Sequence, residues 1–430
     1  MSSTEGNSKL KVYIKTFGCQ MNKADSRRLE EIFVSKGYET ADVIWDADVI
    51  IFNTCSVREH AEQKAMSHIG RLKFIKDKKP DISICIVGCM AQRMQKSIID
   101  SQSHVDLVVG PSTMFDIPEM LTKKLSGSFP DTEDKVKVFY DVLPDIVDKT
   151  RHYSGYVPIM KGCCNYCTYC IVPYVRGKEQ YRPVDDIIRE CSALSDAGVR
   201  EIMLLGQSVN SHPDFKKILK GTAGINGIQR VRFVTSYPGK LDRGLVDTVA
   251  EEPVLSDYFH IPVQSGSDKV LQRMNRKYSI KDFLENVMYI REKIPGAAIS
   301  SDFIVGFPGE TEDDFKMTLD VVKQVEFDQS FTFKYSPRPG TEAADFDDDV
   351  ALEEKKERLQ HLNELCTETA LKRNSLHIGE IVEIFPEGPA NGRTGNYKIV
   401  YWEGAAAEPD ETVRVRITDA LAHSLKGDRT

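Results

Sequence analysis

The sequence predicts an α/β chain built in three parts: an open parallel α/β sheet domain at the N-terminus, a partial (β/α)6 barrel in the centre and a small all-β barrel at the C-terminus. Three observations predict it. Between residues 10 and 112, apolar runs of strand length alternate with helical patterns. Between 155 and 337, six further β-rich runs recur, most of them separated by amphipathic helical stretches. After "HIG" (377–379), apolar and polar residues alternate one by one, the period of a strand. Strands alternating with helices imply βα units and a parallel sheet. The expected domains are 1–148, 149–374 and 375–430.

The first part carries "KLKVYIKTFGC" (strand at about 10–17), "ADVIIFNTC", "DISICIVGC" and "VDLVVGPS". A helical pattern follows each of the first three, such as "SRRLEEIFVSKG" with Leu29, Ile32 and Phe33 apolar and Gly37 as C-cap. Cys19, Cys55 and Cys89 therefore fall just beyond the C-terminal ends of three parallel strands, the edge where open α/β sheets hold ligands. Either they share a site or they are three separate thiols at β–α turns. Cys85 lies mid-strand and Cys191 and Cys366 lie on apolar helix faces, so these read as core.

The second part opens with "GYVPIMKG" running into "KGCCNYCTYC", four cysteines in eight positions. Cys163, Cys167 and Cys170 form a CxxxCxxC spacing. A structural zinc site wants four ligands, usually in paired CxxC units. A four-iron cubane held by three thiolates keeps one iron open for a small chelating molecule. Cys164 is an alternative first ligand; Cys163 keeps the three-residue gap. A zinc-binding or buried loop is the competing reading. The remaining runs are "REIMLLGQS", "RVRFVTSYP", "YFHIPVQSG", "AISSDFIVGFPGET" and "DQSFTFKYSP". Six units are too few for a closed eight-fold barrel. Chemistry is expected at the C-terminal strand ends, where Gln207, Ser236, Gln264 and the "GFPGET" turn fall.

The last part begins with a long helical pattern in 338–374, with Leu352, Leu359, Leu362 and Leu365 at helical spacing, read as a connector. "EIVEIF", "YKIVYW" and "TVRVRITDA" then suggest a five-stranded barrel of a kind that often binds RNA. Residues 375–430 hold six Lys+Arg against nine Asp+Glu, a net of about −3. RNA contact would need a local basic face, for which Arg393, Lys398, Arg414 and Arg416 are the candidates, with Tyr397, Tyr401 and Trp402 to stack on bases. Each aromatic reads equally well as a half-buried strand residue.

The 430 residues are 41 % hydrophobic and 28 % charged with a net charge of −8, the composition of a globular enzyme rather than a generic polyanion binder. The polar N-terminus lacks a signal-like apolar stretch, and no run approaches ~18 apolar residues. A cytoplasmic chain with no membrane partner is expected, where clustered cysteines serve metals or redox chemistry more often than disulfides.

The cysteine loop at the head of a six-unit partial barrel resembles radical S-adenosylmethionine (SAM) enzymes. Together with "TFGCQMNKADSRRLEEI", "NTCSVREHAEQKA", "VGCMAQR", "YCTYCIVPYVRG", "LLGQSVN", "HIPVQSGSDKVLQRMNRKY" and "SPRPGTEAADF", it is similar to the methylthiotransferases over essentially the whole chain, and most to their bacterial tRNA branch. "GRTGNYKIVYW" and "ALAHSLKG" resemble the TRAM domain of that family. The resemblance implies two [4Fe-4S] clusters, an auxiliary one on Cys19, Cys55 and Cys89 and a SAM-binding one on Cys163, Cys167 and Cys170. It implies SAM contacts at Tyr169, Gln207, Ser236, Gln264 and Asp302. The implied reaction adds a methylthio group to carbon 2 of dimethylallyl-adenosine at position 37 of tRNA, with one SAM as methyl donor and one as radical source. Implied partners are the tRNA anticodon stem-loop and an electron donor such as flavodoxin or ferredoxin, and a monomer is expected. Threonylcarbamoyl-adenosine in tRNA or a ribosomal-protein aspartate are alternative substrates, and an iron–sulfur electron carrier is the reading from a different class. Two positions depart from the family pattern: Cys164 stands where Asn is expected and Tyr237 where His is expected, the latter a candidate change in substrate contact. The stretch 211–228 matches poorly and is expected to be a surface loop with a short helix.

Overall fold

The computed structural model describes residues 9–56, 59–122, 154–408 and 411–430. The expected 148/149 boundary lies outside them. Two compact units emerge. One holds the N-terminal sheet with residues 161–164 and 171–180; the other holds residues 154–160, 165–170 and the described residues from 181 onward.

In the first unit, β1 (Lys11–Thr16), β2 (Glu39–Thr40), β3 (Val49–Thr54), β4 (Ser83–Gly88) and β5 (Leu107–Val109) form a sheet of order β2-β1-β3-β4-β5, parallel throughout. Central β3 reads Val-Ile-Ile-Phe-Asn-Thr and is buried along its whole length, as a parallel strand covered on both faces must be. Alternation splits the core in two: Ile50, Phe52, Ile84 and Ile86 pack on one side, Val49, Ile51, Cys85 and Val87 on the other. Cys85 is thus a core residue, fully buried.

In the second unit, β6 (Ser154–Pro158) precedes the cysteine loop, which the short strands β7 (Met160–Lys161) and β8 (Gln180–Tyr181) flank in sequence. Then come β9 (Glu201–Leu205), β10 (Arg230–Phe233), β11 (Tyr258–His260), β12 (Ala298–Val305) and β13 (Gln329–Lys334). Strands β6, β9 and β10 pair in parallel, as do β11, β12 and β13, and a parallel bridge between Val231 and Leu255 joins the two groups. The six expected strands form an open run with β6 and β13 at its edges. Helices Ile280–Lys293 and Glu312–Val325 start at capping boxes, Ser279 with Asp282 and Thr311 with Asp314. The stretch 211–228 does hold a short helix, Phe215–Ala223, but it buries Phe215, Ile218 and Leu219, with Phe215 edge-on to Phe233.

The connector is a single helix, Leu352–Ser375, so the expected 374/375 boundary falls one residue before its end. Its buried face differs from the leucine pattern. Leu352 is exposed and Leu362 is buried, and the inward positions include Lys355 and Arg358. The reason is electrostatic. Arg358 donates to the Glu310 carboxylate (2.8 Å) and carbonyl (3.0 Å), and Glu310 accepts the Gly306 N–H (2.8 Å), so the helix clamps the "GFPGE" turn.

Strands β14 (Ile381–Gly388), β15 (Asn391–Arg393), β16 (Ile399–Glu403), β17 (Val413–Leu421) and β18 (Ser424–Arg429) close into a barrel of order β14-β15-β16-β18-β17. The loop between β15 and β16 reaches the N-terminal ends of four of the six parallel strands, β10 to β13. Arg230, first residue of β10, donates to the Thr394 carbonyl (2.6 Å) and lies 3.8 Å over the Phe385 ring. Ser256, ahead of β11, donates to the Gly395 carbonyl (2.6 Å), and Asn396 donates to the Gly296 carbonyl ahead of β12 (3.2 Å). Lys398 pairs with Asp328 ahead of β13 (2.7 Å) and donates to Asn374 Oδ1 (2.9 Å). Tyr397 packs its ring on Tyr258 (4.8 Å) and beneath the guanidinium of Arg232 (4.1 Å). Glu201, fully buried at the start of β9, pairs with both Arg230 and Arg232.

Removing one partner of a buried ion pair strands the other. Glu201→Ala should therefore lower stability by about 3–5 kcal/mol, read as a shift in the urea midpoint. A loss below about 1 kcal/mol would show that Arg230 and Arg232 do not depend on that carboxylate.

Candidate metal centres

Three cysteines gather at the C-terminal edge of the first unit's sheet. Cys19 precedes the helix Gln20–Ser35, Cys55 follows β3, and Cys89 opens the helix Cys89–Ser101. Cys55 and Cys89 are buried and Cys19 is exposed. Gly18 has φ +116°, and a Cβ there would stand 2.4 Å from Cys55 Cβ, so only glycine lets Cys55 lie this close. A hydrogen bond from Cys55 pulls the Cys19 thiol down to about 6, helped by Arg176 and by the Asn22 and Met21 backbone N–H groups at the helix start. Burial pushes Cys89 up, and Arg176 opposes it.

A buried polar network holds this edge. Asn22 donates to the carbonyls of Phe17 (3.1 Å) and Thr54 (3.0 Å) and to Asn53 Oδ1 (3.2 Å). Asn53 donates to the Asn22 carbonyl and to Ser26 Oγ, both 2.9 Å. Arg176 donates from Nε to Cys89 Sγ (3.2 Å) and from Nη2 to Asn22 Oδ1 (3.1 Å) and Asp25 Oδ2 (2.9 Å). Burial works against the Arg176 charge, but Cys89, Asp25 and Cys19 overcome it.

Of the other trio, Cys163 belongs to the first unit, where its N–H donates to the Gly177 carbonyl (3.1 Å). Cys164 is exposed, and its Sγ accepts the Glu179 N–H (3.3 Å). Cys167 and Cys170 belong to the second unit and share a turn, Cys170 N–H to Cys167 carbonyl at 2.9 Å. That turn is tied to the segment 273–276. Thr168 donates to the Met274 and Arg273 carbonyls, and Asn275 donates to the Tyr166 carbonyl (2.8 Å). Half-buried Arg276 stands 3.6 Å from Cys167 Sγ and donates to Tyr278 Oη (2.8 Å). Its guanidinium lies 4.7 Å from the Tyr237 ring and 5.0 Å from that of Tyr278. Tyr237 is only 6 % exposed and accepts the Lys277 N–H (3.0 Å). Its place in the sequence suggested a substrate contact; the structure gives it a packing role around Arg276.

At the strand ends, the side-chain oxygens of Gln207 (Oε1) and Ser236 (Oγ) are buried without a partner among the described residues. Gln264, at φ +73°, donates its N–H to the Asp302 carbonyl (2.9 Å), so these two are adjacent. The Asp302 carboxylate is 3.4 Å from His260 Nε2. Tyr169 is edge-on to Phe307 at 6.4 Å. On the terminal barrel, Lys398 is buried in its ion pair, whereas Arg393 lies over Tyr397 beside Glu387 and stays partly exposed. Trp402 is core and Tyr397 is packed, leaving Tyr401 half exposed. Arg414 and Arg416 alternate with buried Val413, Val415 and Ile417 and do share the exposed face of β17.

Among the described residues no three Cys, His, Asp or Glu side chains converge on a single ion. A four-iron cluster asks for something different, one soft thiolate on each of several irons. The N-terminal edge suits it in three ways. Its donors are thiols, Gly18 supplies the required close approach, and the buried Arg176 Nη1 has no partner among the described residues. The unpartnered oxygens of Gln207 and Ser236 suit a polar cofactor at the barrel's strand ends. Asn22, Asp25, Arg176 and Arg276 were not singled out from sequence. All but Arg276 lie inside the quoted "TFGCQMNKAD" and "YVRG" motifs, and Arg276 lies in "RMNRKY", but residue type alone did not mark them.

Residues 157–322 match the model of the radical SAM superfamily, 11–110 that of the uncharacterized protein family UPF0004, and 383–429 that of the TRAM domain. A tRNA-2-methylthio-N(6)-dimethylallyladenosine synthase from Pseudoalteromonas atlantica is 42 % identical over 97 % of this chain and 91 % of its own. One from Francisella philomiragia is 42 % identical over 97 % and 98 %. The radical SAM methyltransferase TsrM from Kitasatospora setae shares the fold, with TM-score 0.59 at 15 % identity over 78 % of this chain and 75 % of its own. Among the described residues no helix is long and apolar enough to cross a membrane. The chain belongs to the radical SAM methylthiotransferase family of those tRNA-2-methylthio-N(6)-dimethylallyladenosine synthases.

Proposed function

We propose that the chain methylthiolates carbon 2 of N6-dimethylallyl-adenosine at position 37 of tRNA. Cys163, Cys167 and Cys170 hold a SAM-binding [4Fe-4S] cluster, and Cys19, Cys55 and Cys89 hold an auxiliary one. The observation that carries this reading is the meeting of three thiols beside a buried guanidinium at one sheet edge, in a chain 42 % identical to such synthases over nearly its full length. When bound, the two clusters and SAM supply the electron, the carbon-centred radical and the methylthio group.

The residues of the chain do the rest. Arg276 and Asn275 fix the 165–170 turn, so Cys167 and Cys170 are presented in a set orientation. Gln207 and Ser236 offer buried oxygens to the cofactor, and Gln264 is held beside Asp302 of β12 by its backbone N–H. The β15–β16 loop ties together the N-terminal ends of β10, β11 and β13. We assign the tRNA contact to the exposed faces of β16–β18, with Arg414 and Arg416 and with Tyr401 beside Lys426, rather than to the packed Arg393 and Lys398. A flavodoxin or ferredoxin delivers the electron to a monomeric enzyme in the cytoplasm.

Anaerobically reconstituted protein should hold about eight irons. Replacing Cys163, Cys167 and Cys170 by Ala should leave roughly half; full retention would sink the assignment. Replacing Cys19, Cys55 and Cys89 by Ala should spare 5′-deoxyadenosine formation and abolish the methylthio product, and a normal product rate would remove the auxiliary role. Arg414→Glu with Arg416→Glu should weaken tRNA binding at low salt and less at high salt, because the contacts are to phosphates. Lys398→Ala should cost stability but leave the tRNA affinity of the folded protein unchanged. The opposite pattern in a filter-binding assay would return recognition to the β15–β16 loop.

A further inference from the structure

We propose that Arg176 is a positioning residue for the auxiliary centre: it fixes Cys89 through Nε and holds a positive charge, with spare N–H donors, toward the anionic sulfur collected there. The inference rests on the reading of Cys19, Cys55 and Cys89 as cluster ligands and deepens it.

The helix Val172–Arg176 is a single turn and stops at Gly177, whose φ of +75° suits glycine. It packs Ile171 and Val175 against Cys89, which brings Arg176 to the thiol. The Arg176 side chain is 4 % exposed. Its Nε and Nη2 donors are used, on Cys89, Asn22 and Asp25. Nη1 is buried and has no partner among the described residues. A guanidinium kept only to rivet two elements together would be expected to use all its buried donors, since unmade bonds are costly. Lys161 stands 3.8 Å from the same Asp25, so two cations share one carboxylate. Arg176 and Lys161 thus both place positive charge near the edge that gathers three thiols. Hydrogen bonds and charge beside cluster sulfurs set reduction potential. An Arg donating to Cys89 favours the more negative, reduced state.

The test uses the full-length chain with Cys163, Cys167 and Cys170 replaced by Ala, reconstituted with iron and sulfide, so that the auxiliary centre alone titrates. Midpoint potential is read by EPR-monitored redox titration. Arg176→Gln should move it to more negative values, so that the reduced-to-oxidised ratio at a fixed poise falls about tenfold, the effect of one charge-assisted hydrogen bond. Arg176→Lys should recover part of the shift. If Arg176→Gln fails to fold because Asp25 is stranded, Asp25→Asn with Arg176→Gln removes both charges and gives the same readout. An unchanged midpoint with iron intact overturns the inference. So does loss of iron from both folded variants, which would make Arg176 a requirement for assembly instead. Iron that persists when Cys19, Cys55 and Cys89 are also Ala would sink the underlying reading, a result separable from either.

Discussion

Everything here depends on the polarity of parallel sheets. When all strands run one way, their C-terminal ends share one edge and their N-terminal ends share the other. In the first unit that rule lines up Cys19, Cys55 and Cys89 although 33 or more residues separate each from the next. In the second it sets Gln207, Ser236 and Gln264 at one end of the run. At the other end stand Glu201, Arg230, Ser256 and Asp328, which meet the β15–β16 loop. Ligand-facing groups and structural charges are thus segregated by strand direction alone.

Buried cations do much of the fastening. Arg176, Arg358 and Lys398 are each nearly inaccessible, Arg276 is half-buried, and each reaches a carboxylate, carbonyl or thiol by hydrogen bond. Asp328 shows how far this goes. It accepts from Lys398, Arg291 and Arg373, and these hold its carboxyl below the usual range although burial pushes the other way. Such pairs fix geometry more than they add stability, because desolvation offsets most of their attraction. Geometry is what the turn carrying Cys167 and Cys170 receives from Arg276.

The sequence revealed what periodicity and spacing encode. Six barrel strands, four of the five in the N-terminal sheet and the position of the cysteines at strand ends were legible because apolar runs and punctuating glycines mark them. The two-residue strand Glu39–Thr40 and the short β15 were not, since pairing of so few residues leaves no pattern. The inward face of the helix Leu352–Ser375 was misread because Lys355 and Arg358 are polar by type and become core only through Asp348 and Glu310. Lys398 shows the same effect: a basic residue on a strand near aromatics looks like an RNA contact until its carboxylate, Asp328, 70 positions away, is found. The alternation of Arg414 and Arg416 was legible because it is local.

The loop that closes the barrel has a kinetic side. Its bonds to the strand ends join residues 70 to 164 positions apart in the chain, Lys398 with Asp328 at the short end and Thr394 with Arg230 at the long. Contacts of such separation form late, because the entropy of closing a long loop comes due before the bond rewards it. The six strands of the barrel can pair with neighbours as they are synthesised, but the cations and carboxylates at their N-terminal ends stay wet until the final module has been made and folded. The loop Thr394–Lys398 thereby completes the charged end of a barrel whose strands carry their C-terminal groups at the other.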